Sequence, residues 1–108
     1  MPIFAAIGFD RRPKQPGARD AIRQAHREYV TAKAKPIVCA GAFLDDDRSQ
    51  CGSLYLFEAA SIQDVYDWLA AEPFFAGHIY ESMQVREVET GALWTLGRSG
   101  DHGTEPPA

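Results

Sequence analysis

Between Ile3 and Phe9 both alternating sets of side chains are apolar: Ile3, Ala5, Ile7 and Phe9 on one parity, Phe4, Ala6 and Gly8 on the other. A strand of that kind has to be covered on two sides, so it reads as a central strand. Ile37 to Leu44 repeats the pattern, and Ser53 to Glu58 sets Leu54 and Leu56 against Tyr55 and Phe57. A chain of 108 residues is long enough for one hydrophobic core and too short for two. Whatever covers this sheet must come from very few elements.

Two helices are available. Ala18, Ile22, Ala25, Tyr29 and Ala32 recur at spacings of four and three and predict a helix from about Ala18 to Lys35, stopped by Pro36. Ser61 followed by Asp64 has the form of a helix start, and the helix it opens is expected to turn Ile62, Val65, Tyr66 and Leu69 inward before ending at Pro73. Phe74 to Gly77 allows one further turn. Met83 to Thr90 reads as a fourth strand, which Ala92 to Leu96 extends or follows as an edge strand. Asp10 to Gly17 and Asp45 to Gly52 are connections by composition.

The resulting order, β-α-β-β-α-β, is the α+β ferredoxin-like pattern: an antiparallel sheet with helices on one face. The other face still carries large apolar side chains. A second copy packed sheet to sheet, in the manner of a dimeric α/β barrel, is the simplest cover, so a homodimer is expected. Residues 1–96 would form the domain. Residues 97–108, rich in Gly, Pro, Ser and acid, are expected to be a disordered tail.

Bulk properties exclude several roles. The formal net charge is −4, with Lys and Arg scattered, which argues against a nucleic-acid surface. Arg11, Arg12 and Lys14 come closest to a basic run and fit a solvated loop. No apolar run approaches transmembrane length, and the N-terminus lacks the positive region of a secretory signal, so the expectation is a cytoplasmic protein with no membrane partner. Cys39 and Cys51, on paired strands and offset by roughly 20 Å, are too far apart to bridge. They show no zinc-ligand spacing with the histidines, and Asp45-Asp46-Asp47 lacks the Gly and later Glu of a calcium loop, so no metal or other cofactor is expected. Phosphate-binding and nucleophile-elbow motifs are absent from the sequence.

Chemistry has two candidate bearers. His26 falls near ~+80° on the helical wheel, at the margin of an apolar stripe running from about −40° to +40°. There an imidazole can be half shielded and still reach a cavity as a general base. Glu72, just before Pro73, would sit at a helix C-terminus, where the helix dipole disfavours a carboxylate. A positive partner such as His26 would account for that placement; so would a solvated helix end. Phe74 and Phe75 could wall a pocket or simply fill the core.

Taken together, His26, Cys39-Ala40-Gly41-Ala42, Glu72-Pro73-Phe74 before Ala76-Gly77, and Tyr80-Glu81 resemble the YciI-like (YCII-related) family over roughly residues 3 to 90. The resemblance implies a ferredoxin-like fold, a dimer like the dimeric α/β barrels, and an active site of a His and an Asp, the latter in an Asp-Pro-Phe-like motif. At least one branch is a lyase that eliminates halide from a chlorinated ring. By position the His is His26 and the acid is Glu72, one methylene longer than the family Asp; Gly41, Pro73, Phe74 and Tyr80 would line the pocket. Two readings follow. The first is a lyase or isomerase acting on a small molecule, with His26 as base and Glu72 orienting it. The second is a non-catalytic ligand-binding or assembly module. Hydrogen-bond contact between His26 and Glu72 inside a pocket would favour the first.

Overall fold

In the computed structural model, which describes residues 1–91, the chain runs β1 (Ile3–Asp10), α1 (Ala18–Ala32), β2 (Ile37–Leu44), β3 (Gln50–Glu58), α2 (Ile62–Ala70), α3 (Pro73–Ala76) and β4 (Tyr80–Val88). The strands form one antiparallel sheet in the order β2-β3-β1-β4, so the two-faced β1 is central as expected. Ala92 to Leu96 and the tail from residue 97, with His102, lie outside the described residues.

Register sorts the two faces. Phe4 stands opposite Phe57, Ala6 opposite Tyr55 and Val85, and Gly8 opposite Ser53 and Met83. These residues face the helices. Phe4, Ala6, Tyr55, Phe57 and Val85 pack with Val65 and Leu69 of α2, each of the two helix residues only 1% exposed. Fully burying a side chain of that size stabilises by roughly 1.5–3 kcal/mol. α2 therefore faces inward with Val65, Trp68 and Leu69, while Ile62 and Tyr66, expected inside, are exposed. On the opposite face Ile7 and Phe9 are 37% and 53% exposed, and Phe9 stacks on Phe43 at 5.1 Å.

The boundaries differ from the sequence expectation for local reasons. α1 ends at Ala32, a turn earlier than Lys35, because the ring of Pro36 clashes with the carbonyl four residues before it. β3 begins at Gln50 rather than Ser53, so the hairpin connection is shorter. β4 begins at Tyr80 and closes at Val88, displaced from the expected Met83 to Thr90 by the pairing of Tyr80 with Asp10. Cys39 pairs with Leu56, well away from Cys51, and both cysteines are free. Arg12 and Lys14 are not merely solvated: each meets Asp45 at 2.8 Å, tying the loop after β1 to the β2–β3 turn. Those two cations hold the Asp45 carboxyl well below its ordinary range. No helix among the described residues is long and apolar enough to cross a membrane.

Candidate active site

Glu72 is the origin of the site. Read as the end of α2, it would oppose a helix dipole. Instead α2 is closed by Ala71, and Glu72 is the N-cap of α3. The cause is Pro73, which is favoured at the first position of a helix and forces the residue before it into an extended conformation. Glu72 adopts φ −73° and ψ 127°, and its side chain folds back to accept the Phe74 amide N–H on Oε2 at 2.9 Å and the Phe75 amide N–H on Oε1 at 3.3 Å. The residue is 0% exposed.

His26 completes it. Its Nδ1 lies 2.6 Å from Glu72 Oε2, and its ring stacks on Phe74 with centroids 4.0 Å apart at 15°. Both Glu72 oxygens already accept backbone N–H groups, so the imidazole is the donor: Nδ1 carries the proton, and in the neutral ring Nε2 carries the lone pair. The imidazole is 21% exposed, shielded on one side and open on the other.

His26 is not at the margin of the covered face of α1 but near its centre. Arg19, Ile22, Arg23, His26, Tyr29 and Val30 are half-buried, whereas Ala25 and Ala32 of the expected stripe are exposed. The helix lies over the sheet on a largely polar face and leaves a cavity beneath it. Gly77 permits the close approach of α1 to α3: a Cβ there would come within 2.6 Å of Ile22 Cδ1. The C-terminal end of α1 is pinned by Tyr29 Oη donating to the Trp68 carbonyl at 2.7 Å and Trp68 Nε1 donating to the Lys33 carbonyl at 2.8 Å.

The cavity beside the dyad measures about 270 Å³. His26 and Phe74 line it, with Ser53 and Tyr55 from β3, and Ala40, Gly41 and Ala42 along β2. Arg19, Arg23 and Arg27 of α1 also border it, and no carboxylate among the described residues does. Arg19 is committed elsewhere, bound through two bonds of 2.7 and 2.9 Å to Asp10 and lying 4.8 Å over the Phe74 ring. Gln50 Oε1 accepts from both Arg19 and Arg23 at 3.2 Å and divides this cavity from a larger cleft of about 740 Å³ at the start of α1. The dyad does not line the larger cleft.

Of the residues expected at the site, His26, Glu72, Gly41 and Phe74 meet at or around this cavity. Pro73 does not line it but starts α3, and Tyr80 lies behind it, its hydroxyl donating to Ser53 Oγ at 2.7 Å. Sequence reasoning missed Arg23, Arg27, Ser53 and Tyr55. The signal for Arg23 was present in Arg19, Arg23, His26 and Val30, a second stripe at spacings of four, three and four; Arg27 lies outside it. No group of three or more potential metal ligands occurs among the described residues.

Comparison with known proteins agrees with this geometry at the level of family and fold. A family model described as the YCII-related domain matches residues 4–89. Among solved structures, the fold is similar to that of 5-chloro-2-hydroxyhydroquinone dehydrochlorinase (TftG) from Burkholderia phenoliruptrix AC1100, in complex with 2,5-dihydroxybenzoquinone. The TM-score is 0.70 at 23% identity, over 82% of this chain and 95% of that one. It is also similar to a putative antibiotic biosynthesis monooxygenase from Chloroflexus aurantiacus J-10-fl, with TM-score 0.52, 13% identity, and coverage of 83% and 96%. No curated protein matches the sequence.

Proposed function

The chain belongs to the YCII-related domain family, and from that premise we propose that it is a lyase or isomerase acting on a small molecule, with His26 as general base and Glu72 as the carboxylate that orients it. One observation carries the reading: the 2.6 Å contact between a wholly buried carboxylate and an imidazole that borders a cavity. Glu72 fixes the tautomer, so the Nε2 lone pair is the basic one, and it faces the imidazolium that forms when Nε2 takes a proton. Such chemistry uses side chains alone when the substrate has an acidic C–H next to a carbonyl or a leaving group. The similar TftG is named a dehydrochlorinase, a lyase by reaction type, which supports elimination as the first reaction to try. The replacement of the family Asp by Glu is accommodated by the side chain folding back onto its own helix start. A non-catalytic module has no need of a tautomer-fixed histidine at a cavity.

Screening chlorinated hydroxyquinols and enolisable carbonyl compounds for chloride release or rearrangement tests the proposal. For any substrate found, His26→Ala should lower turnover by about 10²–10⁴-fold. Unchanged turnover in that variant would eliminate His26 as the base.

We also propose that the open sheet face is covered by a second copy, since Ile7, Phe9, Phe43, Leu54 and Leu56 form an apolar surface there. Sedimentation at micromolar concentration should give a dimer, and Phe9→Glu should give a monomer. A monomeric wild type would refute it.

A further inference from the structure

We propose that Tyr55 and Ser53 are paired hydrogen-bond donors on the floor of the dyad cavity, addressed to the carbonyl oxygen of a small, anionic, enolisable substrate. This rests on the reading of His26 as a base and names what that base acts upon.

Ser53 and Tyr55 are two residues apart on β3, so both side chains leave the same face of the sheet, roughly 7 Å apart along the strand. Both line the cavity with His26. Tyr55 is only 3% exposed, its ring held by Phe57 and Trp68 at 5.4 and 5.3 Å. Its hydroxyl nonetheless bonds to no protein group among the described residues. A buried hydroxyl without a partner is costly and rare, and an occupant of the cavity that Tyr55 lines would satisfy it. Burial, then the nearby Glu72 carboxylate, pushes the phenol far above its ordinary range, so it stays protonated and acts as a donor rather than a base.

Ser53 is directed in the same way. Tyr80, whose phenol burial pushes up to about 12, donates to Ser53 Oγ at 2.7 Å. That fills one acceptor position of Oγ and leaves the serine's own proton without an acceptor among the described residues.

The walls select the charge of the substrate. Among the described residues, three arginines border the cavity and no carboxylate does. Asp10 occupies Arg19 and Asp20 meets Arg23 at 2.9 Å, but Arg27 has no partner among the described residues. At about 270 Å³ the space falls just below the ~300–1,000 Å³ usual for ligand sites and suits a small molecule.

The step balances without a further reagent. The C–H bond next to the carbonyl breaks and its proton goes to Nε2 of His26. The electron pair moves onto the carbonyl oxygen, where Tyr55 and Ser53 donate to the developing enolate. The enolate then either takes a proton at carbon or expels a leaving group, which departs with its electron pair.

Deuterium exchange at C3 of 2-oxobutanoate in D₂O, followed by proton NMR, tests this without the natural substrate. Wild type should accelerate exchange over buffer and His26→Ala should fall to the buffer rate. Tyr55→Phe should lower the rate by about 10²–10³-fold and Ser53→Ala by about tenfold or more. Tyr55→Phe should also melt no lower than wild type, because the lost hydroxyl has no protein partner among the described residues; a marked fall would assign it a structural bond and overturn the proposal. Exchange that depends on His26 but survives Tyr55→Phe overturns the donor pair and leaves the base standing. Butanone exchanging as fast as 2-oxobutanoate overturns the anionic class. Absence of both binding and exchange of 2-oxobutanoate overturns the substrate class, while the elimination screen still judges the dyad.

Discussion

Glu72→Gln isolates the charge of the buried carboxylate while keeping its shape. The amide has one oxygen to place. Set at Oε2, it keeps the 2.6 Å bond from His26 and the 2.9 Å bond from the Phe74 amide, and turns its NH₂ toward the Phe75 amide, 3.3 Å away. Set at Oε1, it loses the Phe74 bond and keeps the His26 contact only if the imidazole changes tautomer, so the first orientation wins. The Phe75 N–H then faces another donor, at a cost of about 1–3 kcal/mol for a buried group left unsatisfied. The two retained bonds lose their charge assistance, about 1 kcal/mol each. The total is about 4 kcal/mol, which for a domain of this size lowers Tm by roughly 15–30 °C. Urea denaturation followed by circular dichroism measures the stability, and ring ¹⁵N shifts report the tautomer. His26 should remain protonated on Nδ1 in Glu72→Gln and drift toward Nε2–H in Glu72→Ala, where the partner is gone. A Gln variant within about 0.5 kcal/mol of wild type, the scatter of ordinary surface substitutions, would refute the account of Glu72 as both cap and orienter. So would an Ala variant with an unchanged tautomer.

Two further outcomes follow from buried groups. Asp10 and Arg19 are 6% and 11% exposed at the side chain, so Asp10→Asn should leave a buried guanidinium uncompensated and cost about 3–5 kcal/mol in urea denaturation; a loss under about 1 kcal/mol would show the pair to be solvated. Tyr80 contributes to the loss of stability in alkali: the unfolded chain releases its phenolic proton from the ordinary value of 10.0 while the fold keeps it up to about 12, so stability present below that window is lost as pH rises through it. At about 1.4 kcal/mol per pH unit the loss is about 3 kcal/mol. Urea midpoints across the window should fall less steeply in Tyr80→Phe, and identical slopes would contradict the assignment.

The sheet was legible because its signal is doubled. β1 shows apolar side chains on both parities, and β3 separates Leu54 and Leu56 from Tyr55 and Phe57, so strand identity and the two-faced problem follow from alternation alone; centrality does not, since β2 repeats the pattern and lies at the edge, largely exposed. The orientation of α1 was not legible. A count of apolar positions weights Ala18, Ala25 and Ala32 equally with Ile22 and Tyr29, yet alanine offers little area to bury, while the stems of Arg19 and Arg23 cover more surface than their charge suggests. Glu72 was misplaced because Pro73 both ends one helix and begins another, and only the second role turns the preceding acid into a cap. That the Tyr55 hydroxyl has no partner among the described residues leaves no trace in the sequence, since it is a property of three-dimensional surroundings.

The two long helices consequently do different work. α2 supplies Val65 and Leu69 to the core, whereas α1 has no fully buried residue. α1 is secured instead by polar ties at its two ends, Arg19 to Asp10 and Tyr29 to Trp68. A helix secured at its ends can present a polar face over the sheet without having to fill the space beneath it. That space is the cavity, and His26 stands between the two ties with its ring stacked on Phe74. Packing α1 with leucines at Arg23 and His26 would close the cavity and add apolar burial, so the observed face gives up stability to keep a site open. The Tyr55 hydroxyl below it, unpartnered among the described residues, is the same concession made by the sheet.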